Sequence, residues 1–331
     1  MRPPRFWNRP PGDLAWQSKL LAPLGVLYGY LVARRLAHGS PTRMALPVIC
    51  VGNINVGGVG KTPAVIWLAE RLAAAGHTPH VISTGYGGSL AGPVPVNPKI
   101  HRVDQVGDEP LLIAAFSEVW VAKNRVAAAR SAQAAGATAL ILDDGHQDPS
   151  LVKDISIVVV DSALGFGNQC CLPAGPLREP VEVGLARADL VLKVGSSLTH
   201  KLQENIPQTI PSFAAELHAL DTGMDWSKAR VIAFAGIGNP EKFFATIRRL
   251  GGHIIHTEAL DDHQPLSETL LSRLLSQAKK LNAQLVTTEK DAVRLPKKFR
   301  SRVITVPVRL RVDDEKRFQD LLVSIAPALK Q

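Results

Sequence analysis

The composition describes a folded protein and excludes several classes of function. Of its 331 residues 46% are hydrophobic and only 5% aromatic, so the chain is not disordered and has no base-stacking pattern of a nucleic-acid binder. The length favours two domains. The three cysteines have neither disulfide nor zinc spacing, which favours a reducing compartment.

Positive charge is concentrated at the start of the chain. Residues 1–43 contain seven Lys or Arg residues and one acid, so they supply most of the formal net charge of +9. Within them the apolar run 20–33, 14 residues long, is shorter than the roughly 20 residues that span a bilayer as a helix. Pro23, Gly25 and Gly29 are expected to weaken this run as an independent helix.

A glycine-rich stretch predicts a phosphate-binding loop. It follows the apolar run 47–51 and precedes a predicted helix over 63–72, which is the required order of strand, loop and helix. In such a loop, backbone N–H groups surround a phosphate, a lysine reaches the outer phosphates and a Thr hydroxyl holds Mg²⁺. Asn replaces the first glycine of the pattern, and we expect it to be tolerated because Asn adopts a left-handed backbone more readily than most residues. The loop residues, expected to bind the phosphates of ATP, are Asn55, Val56, Gly57, Gly58, Val59, Gly60, Lys61 and Thr62.

With a nucleotide site in the chain, the N-terminal segment has three interpretations. A signal peptide has the same basic start and apolar middle, but export would place the site where ATP is scarce. A buried core helix is the second, since short apolar runs are usually core. An interfacial anchor explains the basic flanks together with Trp7, Trp16, Tyr28 and Tyr30. We favour an anchor on the cytoplasmic face of an anionic membrane.

Strands and helices alternate after the loop, which predicts a parallel α/β sheet flanked by helices. Strands are expected over 80–84 and 119–121, and an alanine-rich helix over 124–135. Another helix begins near residue 110, and Asp108 is expected to cap it, with Glu109 in its first turn. Capping and a chemical role remain equally open for this pair.

Two adjacent carboxylates end the next apolar strand. Asp143 and Asp144 follow the run 137–142, the usual position of the carboxylate on the Mg²⁺ side in phosphate-loop enzymes. The strand 154–161, which ends at Asp161, is a rival. We prefer Asp143 and Asp144, because two neighbouring carboxylates at a strand end are costly for packing alone.

A second α/β unit follows. Strands are expected over 188–194, 230–238, 253–256 and 284–288, with a helix from Glu241 and an amphipathic helix over 267–281. The turn at Gly236 and Gly238 lacks a third glycine in register and predicts no second nucleotide site. We therefore divide the chain into residues 1–45, a nucleotide-binding domain over 46–165, and a smaller hinged α/β domain over 166–331 whose last residues can return to the first domain.

The class of phosphate-loop protein is narrowed by two absences in the sequence. The guanine-reading pattern Asn-Lys-x-Asp does not occur, which disfavours a GTPase. Partitioning-type ATPases carry a lysine at the position of Val56. A kinase therefore leads, and a peripheral-membrane partitioning-type ATPase that acts through protein partners is the alternative.

A series of short motifs follows in order along most of the chain. The motifs are Val51-Gly52-Asn53 before Gly57-Gly58-Val59-Gly60-Lys61-Thr62-Pro63, Ser83 with Gly85-Tyr86-Gly87, Gly107-Asp108-Glu109-Pro110, Asp143-Asp144-Gly145 with Gln147, Gly165-Phe166-Gly167-Asn168, Pro173-Ala174-Gly175-Pro176-Leu177-Arg178-Glu179, Asp262-His263 and Thr288-Glu289-Lys290-Asp291-Ala292. In this combination they resemble the tetraacyldisaccharide 4′-kinase family.

The resemblance implies phosphorylation of an acylated glucosamine disaccharide 1-phosphate to lipid IVA by ATP. It also implies two hinged α/β/α domains and an N-terminal membrane-associated helix at the bacterial inner membrane. We expect no obligate protein partner and no nucleic acid.

The resemblance also implies residue roles. Asp108 becomes the base with His263 beside it, and Lys61 neutralises the transferred phosphate. Metal contacts fall to Thr62, Glu109, Asp143 and Asp144, and contacts to substrate or phosphate fall to Arg125, Gln147, Arg178 and Glu179.

Four positions depart from the family pattern. Thr84 stands where the family commonly has Arg, and Asn124 where it has Asp. His146 and Asp148 replace an aromatic residue and a histidine around Gln147. Thr84 thus removes one cation that could bind phosphate.

Overall fold

The computed structural model describes residues 4–195 and 205–329, which form two sheets with helices around them. The strands are β1 (Val48–Gly52), β2 (Pro79–Ser83), β3 (Val94–Pro95), β4 (Glu118–Val121), β5 (Ala139–Asp143), β6 (Ile155–Asp161), β7 (Leu190–Val194), β8 (Ser212–Ala219), β9 (Arg230–Ala235), β10 (His253–Ala259), β11 (Gln284–Thr288), β12 (Ile304–Val306) and β13 (Val308–Val312). The α-helices are α1 (Trp16–Ala37), α2 (Lys61–Ala74), α3 (Val103–Val106), α4 (Asp108–Ile113), α5 (Arg125–Ala134), α6 (Val181–Leu185), α7 (Pro240–Arg249), α8 (Glu268–Lys280), α9 (Glu289–Ala292), α10 (Lys297–Arg300) and α11 (Glu315–Ile325).

The larger sheet is built outward from β1. Its nine strands have the order β13-β8-β7-β6-β1-β5-β2-β4-β3. β1, β5 and β6 are mostly apolar and are buried at every position, as strands covered on both faces must be. β1 pairs in parallel with β5 and β6, and the register places Val51 beside Asp143. The ends of β1 and β5 therefore meet at one edge, and the predicted parallel α/β fold is confirmed.

The chain forms two compact units. The smaller comprises residues 218–309, and the larger comprises the described residues before 218 and after 309. These boundaries differ from the sequence-based division after residue 165, because β7 and β8 continue the large sheet by parallel pairing beyond β6. After residue 309 the chain returns to the larger unit, where Phe318 of α11 packs edge-on against Trp67 and Phe213.

The smaller unit is a second α/β layer structure. Its four strands are parallel and have the order β10-β9-β11-β12. Side chains alternate along β9, so that Phe234 packs in one apolar cluster with Leu271 of α8, while Val231 packs in another with Phe244 of α7. The two helices therefore cover opposite faces of this sheet.

The N-terminal apolar run forms a continuous helix of 22 residues, α1, with Pro23 inside it. The expectation that its Pro and Gly residues weaken it as an independent helix stays a prediction. In the folded chain both glycines serve close packing. A Cβ on Gly25 would lie 2.8 Å from the Cys171 carbonyl oxygen, and one on Gly29 would lie 3.3 Å from the Cys171 Sγ. Asn168 Nδ2 also donates to Ser18 Oγ at 3.0 Å.

Most of the other residues of α1 are exposed. Leu20 and Val26 are 70% and 74% exposed, and of its 22 residues only Ser18, Gly25 and Gly29 are buried, so the buried-core interpretation is wrong. By length and composition α1 is the one helix among the described residues that could cross a membrane, a criterion that core helices and signal sequences also meet. Arg2, one of the basic residues of this segment, lies outside the described residues.

Candidate active site

The loop between β1 and α2 has the backbone that phosphate binding requires. Gly57 and Gly60 have φ of +113° and +97°, which glycine adopts without strain, and α2 begins directly afterwards at Lys61. Lys61 and Thr62 are largely buried, with 9% and 8% of each residue exposed. The free N–H groups and the positive dipole end of α2 therefore lie at this loop.

Asn55 has a structural reason to replace glycine. It is not among the residues with positive φ, so the expectation that it uses a left-handed backbone is wrong. Its Nδ2 donates to the Gly165 carbonyl oxygen at 3.0 Å, and the next residue, Val56, donates its N–H to the Pro176 oxygen at 2.7 Å. Asn55 therefore ties the phosphate loop to the segment 165–178.

The predicted carboxylate pair lies next to this loop. Asp143 Oδ2 accepts a hydrogen bond from Ser83 Oγ at 3.1 Å, whereas its Oδ1 is buried and has no hydrogen-bond partner among the described residues. Asp144, whose φ is +53°, lies with its Oδ1 2.7 Å from Arg178 Nη1 and 3.7 Å from Lys61 Nζ. The loop lysine and one of the carboxylates thus form a single charged cluster.

The two carboxylates differ in their electrostatics. Burial, followed by the nearby charges of Glu109 and Asp144, raises the pKa of Asp143 to about 7. Burial also opposes ionisation of Asp144, but Lys61 and Arg178 outweigh it and lower the pKa of Asp144 to about 2. Asp144 is therefore ionised at neutral pH. At Asp143 burial and the neighbouring carboxylates outweigh the nearby positive charges and oppose ionisation.

Arg125 lies beneath this pair. It is 4% exposed, and its Nη2 donates to the carbonyl oxygens of Asp143 and Asp144, both at 3.0 Å. Its Nη1 lies 3.9 Å from Asp148 Oδ2. Asp148, one of the departures from the family pattern, thus supplies a counter-charge to a buried guanidinium. The geometry gives Arg125 the task of holding the strand end, and its contact with phosphate stays a prediction.

The other predicted substrate contacts form a network of their own. Gln147 Nε2 donates at 2.8 Å both to the Asn53 carbonyl oxygen and to Glu179 Oε1. Glu179, only 1% exposed, also accepts from Arg187 Nη2 at 2.8 and 2.7 Å. The sequence analysis missed Arg187, which carries no motif signal. Glu179 therefore orients Gln147, while Arg178 reaches Asp144.

His146 is a buried structural histidine. It is 1% exposed, and its Nε2 lies 2.9 Å from the Gly184 carbonyl oxygen. Burial and the charge of Arg187 lower its pKa to about 4, so the ring is neutral at pH 7. His146 fills the place of an aromatic side chain and adds one hydrogen bond.

Asp108 is not a helix cap. The N-cap of α4 is Gly107, with φ of +88°, and Asp108 is the first helical residue. Asp108 is 3% exposed, and its Oδ1 accepts the N–H of Glu109 at 3.0 Å. The capping alternative is therefore wrong as stated, which leaves the chemical role as a prediction.

The remaining departures and the rival carboxylate have local partners. Asn124 caps α5, since its side chain accepts the Ala127 N–H at 3.1 Å, and Lys123 Nζ lies 3.5 Å from the Thr84 carbonyl oxygen. Asp161 Oδ1 accepts the N–H groups of Ala163 and Leu164, so it serves the turn after β6.

His263 belongs to the smaller unit, whereas Asp108 belongs to the larger one. Its ring is 35% exposed, and its Nε2 lies 3.2 Å from Lys290 Nζ. The sequence places Lys290 in the motif 288–292 and predicts no role for it.

A tight metal cage is not preformed. Among residues 4–195 and 205–329, no three His, Cys, Asp or Glu side chains are grouped as a metal site. The side chains that could contact a metal at the phosphate loop are Thr62, Glu109, Asp143 and Asp144, and of these Asp143 offers a buried carboxylate oxygen without a hydrogen bond.

A strand, a glycine loop and a helix with its lysine, beside a carboxylate pair at the edge of a parallel sheet, define the phosphate-loop class of α/β proteins. The sequence can be placed more narrowly. The chain belongs to the tetraacyldisaccharide-1-P 4′-kinase family, whose model matches residues 17–326.

Similar proteins agree with this placement over nearly the full length. A tetraacyldisaccharide 4′-kinase of Dinoroseobacter shibae is 53% identical over 331 residues, covering 99% of this chain and 98% of the relative. One of Rhodospirillum rubrum is 42% identical over 97% of both chains. A crystal structure from Aquifex aeolicus, described as an apo form in complex with ATP, superposes with a TM-score of 0.75 at 25% identity and covers 93% of this chain and 99% of that one.

Proposed function

We propose that this chain transfers the γ-phosphate of ATP to the 4′-hydroxyl of a tetraacyldisaccharide 1-phosphate and so forms lipid IVA. The carrying observation is the membership of nearly the whole chain in the 4′-kinase family with an intact Lys61–Thr62 phosphate loop. The alternative, a partitioning-type ATPase that acts through protein partners, is not favoured by any of the similar proteins.

The residues at the loop fit a divalent cation. Asp143 is a buried carboxyl whose Oδ1 lacks a hydrogen bond among the described residues. Burial, followed by the nearby charges of Glu109 and Asp144, raises its pKa to about 7. Carboxylate and hydroxyl oxygens are the ligands that Mg²⁺ prefers, and Thr62 supplies the hydroxyl. Thr62 and Asp143 would hold the ion, together with the neighbouring carboxylates of Glu109 and Asp144. When bound, Mg²⁺ supplies charge neutralisation on the β- and γ-phosphates.

The chain's own groups divide the remaining work. Lys61 places a positive charge at the outer phosphates, and Arg178, 2.7 Å from Asp144, adds a second cation at the same edge. Asp108 accepts the proton of the attacking hydroxyl, as its buried position without a capping role allows. Arg125 and Glu179 position Asp143, Asp144 and Gln147. The pairing of Asp108 with His263 stays a prediction, since the two belong to different compact units.

The exposed side of α1 supports attachment to the cytoplasmic face of the inner membrane, where such a substrate would be embedded. Trp16, Leu20, Leu24, Leu27 and Leu31 are each at least half exposed. Basic residues flank the helix and would meet anionic lipid.

Transfer of radiolabel from γ-labelled ATP to a purified tetraacyldisaccharide 1-phosphate in mixed micelles tests the proposal. We expect labelled product from the wild type, none with the acceptor already phosphorylated at the 4′ position, and none after chelation of divalent cations. ATP turnover without acceptor, stimulated instead by a protein fraction, would support the partitioning-type ATPase.

A further inference from the structure

Three polar side chains of the smaller unit form a compact group whose chemistry is not explained by packing. Lys290 Nζ lies 3.2 Å from His263 Nε2, which is hydrogen-bonding distance. Asp262 Oδ1 lies 3.6 Å from Lys290 Nζ and 3.7 Å from His263 Nε2, too far for a hydrogen bond but close enough for charge attraction. The lysine therefore lies between an acceptor and a counter-charge.

The position of Lys290 is built rather than incidental. It lies in α9, which Thr288 caps by accepting the Asp291 N–H at 3.1 Å. Asp291 is fully buried, and both its carboxylate oxygens accept the Gly236 N–H at 3.1 Å. It also pairs with Arg294. The motif that contains Lys290 is thus fastened to the end of β9.

The position of His263 is fastened to the same point. Its own N–H donates to the Gly236 carbonyl oxygen at 3.3 Å, and its φ is +58°. Arg294 donates to the Gly236 oxygen and to the oxygen of Gln264, the residue after His263, both at 3.0 Å. Since Gly236 anchors both loops, the distance between Lys290 and His263 is set by the backbone.

This arrangement allows one neutral form of the imidazole. A lysine ammonium has three donors and no acceptor, so a hydrogen bond to His263 Nε2 requires a lone pair on that nitrogen. The proton of the neutral ring then lies on Nδ1, because the bond made by one ring nitrogen decides the state of the other. We propose that Lys290 is a positioning residue that holds His263 neutral, with its proton on Nδ1.

The consequence for the reaction rests on the proposed function. A ring held in this form acts as a hydrogen-bond donor through Nδ1 and does not take up the proton of the acceptor hydroxyl. That proton passes to a carboxylate, which a neutral donor can orient and stabilise. With Lys290 in this position, His263 supports proton transfer as a hydrogen-bond donor, and an acidic residue acts as the base.

The test begins with the wild-type full chain. ¹⁵N NMR of the chain labelled at histidine nitrogens separates protonated from unprotonated ring nitrogens, and the His263→Gln spectrum identifies the signals of His263. At pH 7.5 we expect a neutral ring with hydrogen on Nδ1. Hydrogen on Nε2, or on both nitrogens, overturns the proposal.

Kinetics then separate positioning from general damage. Lys290→Met should move the His263 proton to Nε2 and lower kcat by about 10-fold, with the KM for ATP unchanged. This loss is smaller than the contribution of a general base itself, which is typically about 10²–10⁴-fold. Lys290→Arg, which keeps the donor, should retain most of kcat, and Lys228→Met, at an exposed lysine paired with Asp225, is the control. An unchanged tautomer in Lys290→Met overturns the proposal. A fully active His263→Gln enzyme would instead contradict the role of His263 in the proposed function. The tautomer of His263 in the wild type would still be measured independently.

Discussion

The edge of the large sheet and the N-terminal helix differ in which side chains they bury and which they expose. At the sheet edge, Lys61, Asp108 and Asp143 are each at least 90% buried, and hydrogen bonds and ion pairs hold Asp144 and Arg125 beside them. On α1 the buried residues are two glycines and a serine, and the large apolar side chains face outward. Buried charges interact strongly because their surroundings have a low dielectric constant, whereas an exposed apolar surface is suited to contact a membrane or another molecule. Substitutions at the edge should therefore change kcat, and those on the helix should change the apparent KM for lipid.

The largest effect is expected from Asp108→Asn. The substitution keeps the shape and removes only the ability to accept a proton, so kcat should fall about 10²–10⁴-fold with little change in Tm. Radiolabel transfer and thermal unfolding measure the two quantities. Asp104→Asn on the neighbouring helix α3, an exposed residue paired with Arg102, is the matched control. An active Asp108→Asn enzyme would move the search for the base to Asp143 or Asp144.

Lys61→Met should lower kcat/KM by about 10²–10³-fold, because it removes a charge aimed at the developing phosphate charge. Asp144 loses one of its two cations, but Arg178 remains at 2.7 Å and should keep the site folded. Lys99→Met, at an exposed lysine of the same unit, should be silent. Near-normal turnover in the Lys61 variant would remove the phosphate-loop assignment.

On the helix, the triple variant Leu20→Ser, Leu24→Ser and Leu27→Ser should lose affinity for anionic vesicles and raise the apparent KM for micellar lipid about 10-fold. Each serine removes apolar area that membrane binding would bury, and these residues are 70%, 53% and 53% exposed. The same positions changed to Met keep that area and serve as the control. The KM for ATP should not move in either variant, and an equal rise in it would erase the contrast between the two regions.

The smallest effect on activity is expected at His146, where the predicted change is in the pH dependence of stability. Its pKa in the folded chain, about 4, lies below the ordinary 6.5, so this residue contributes stability above pH 6.5 that is lost as pH falls from 6.5 toward 4. Between pH 7.5 and pH 5 we expect His146→Phe to remove about 2 kcal/mol of that loss. Urea unfolding at pH 7.5 and pH 5 measures how much the free energy of unfolding changes with pH in the wild type and in the variant. A parallel pH dependence in wild type and variant would contradict the assigned pKa.

The sequence predicted the sheet edge well because its signals are local. The phosphate loop requires glycine where φ is positive, and Asp143 follows a buried apolar strand, so both could be placed before the fold was known. The tasks of Arg125 and Glu179 could not, because they depend on carbonyl and carboxylate groups that tertiary packing brings near them. The interpretation of Asp108 as a cap failed since Gly107, with its positive φ, begins the helix instead.

The helix was harder to predict because its stability is tertiary. Pro23 and two glycines lower the intrinsic propensity of α1, but the glycines allow backbone-close packing on Cys171 that propensity does not describe. The domain boundary has the same origin. Whether β7 belongs to the first sheet depends on its pairing with β6, and a strand pattern alone does not identify its partner.

The segment 165–178 has consequences for protein engineering. It contains no regular helix or strand, yet Asn168 accommodates both α1, through Ser18, and Trp7, whose oxygen accepts its N–H at 2.8 Å. The same segment receives the tether of Asn55. An epitope tag or a fluorophore-carrying insertion here should therefore disturb the membrane helix and the phosphate loop at once. The exposed turn at Gly223, where a Cβ would meet nothing within 4 Å, is the better site for a label.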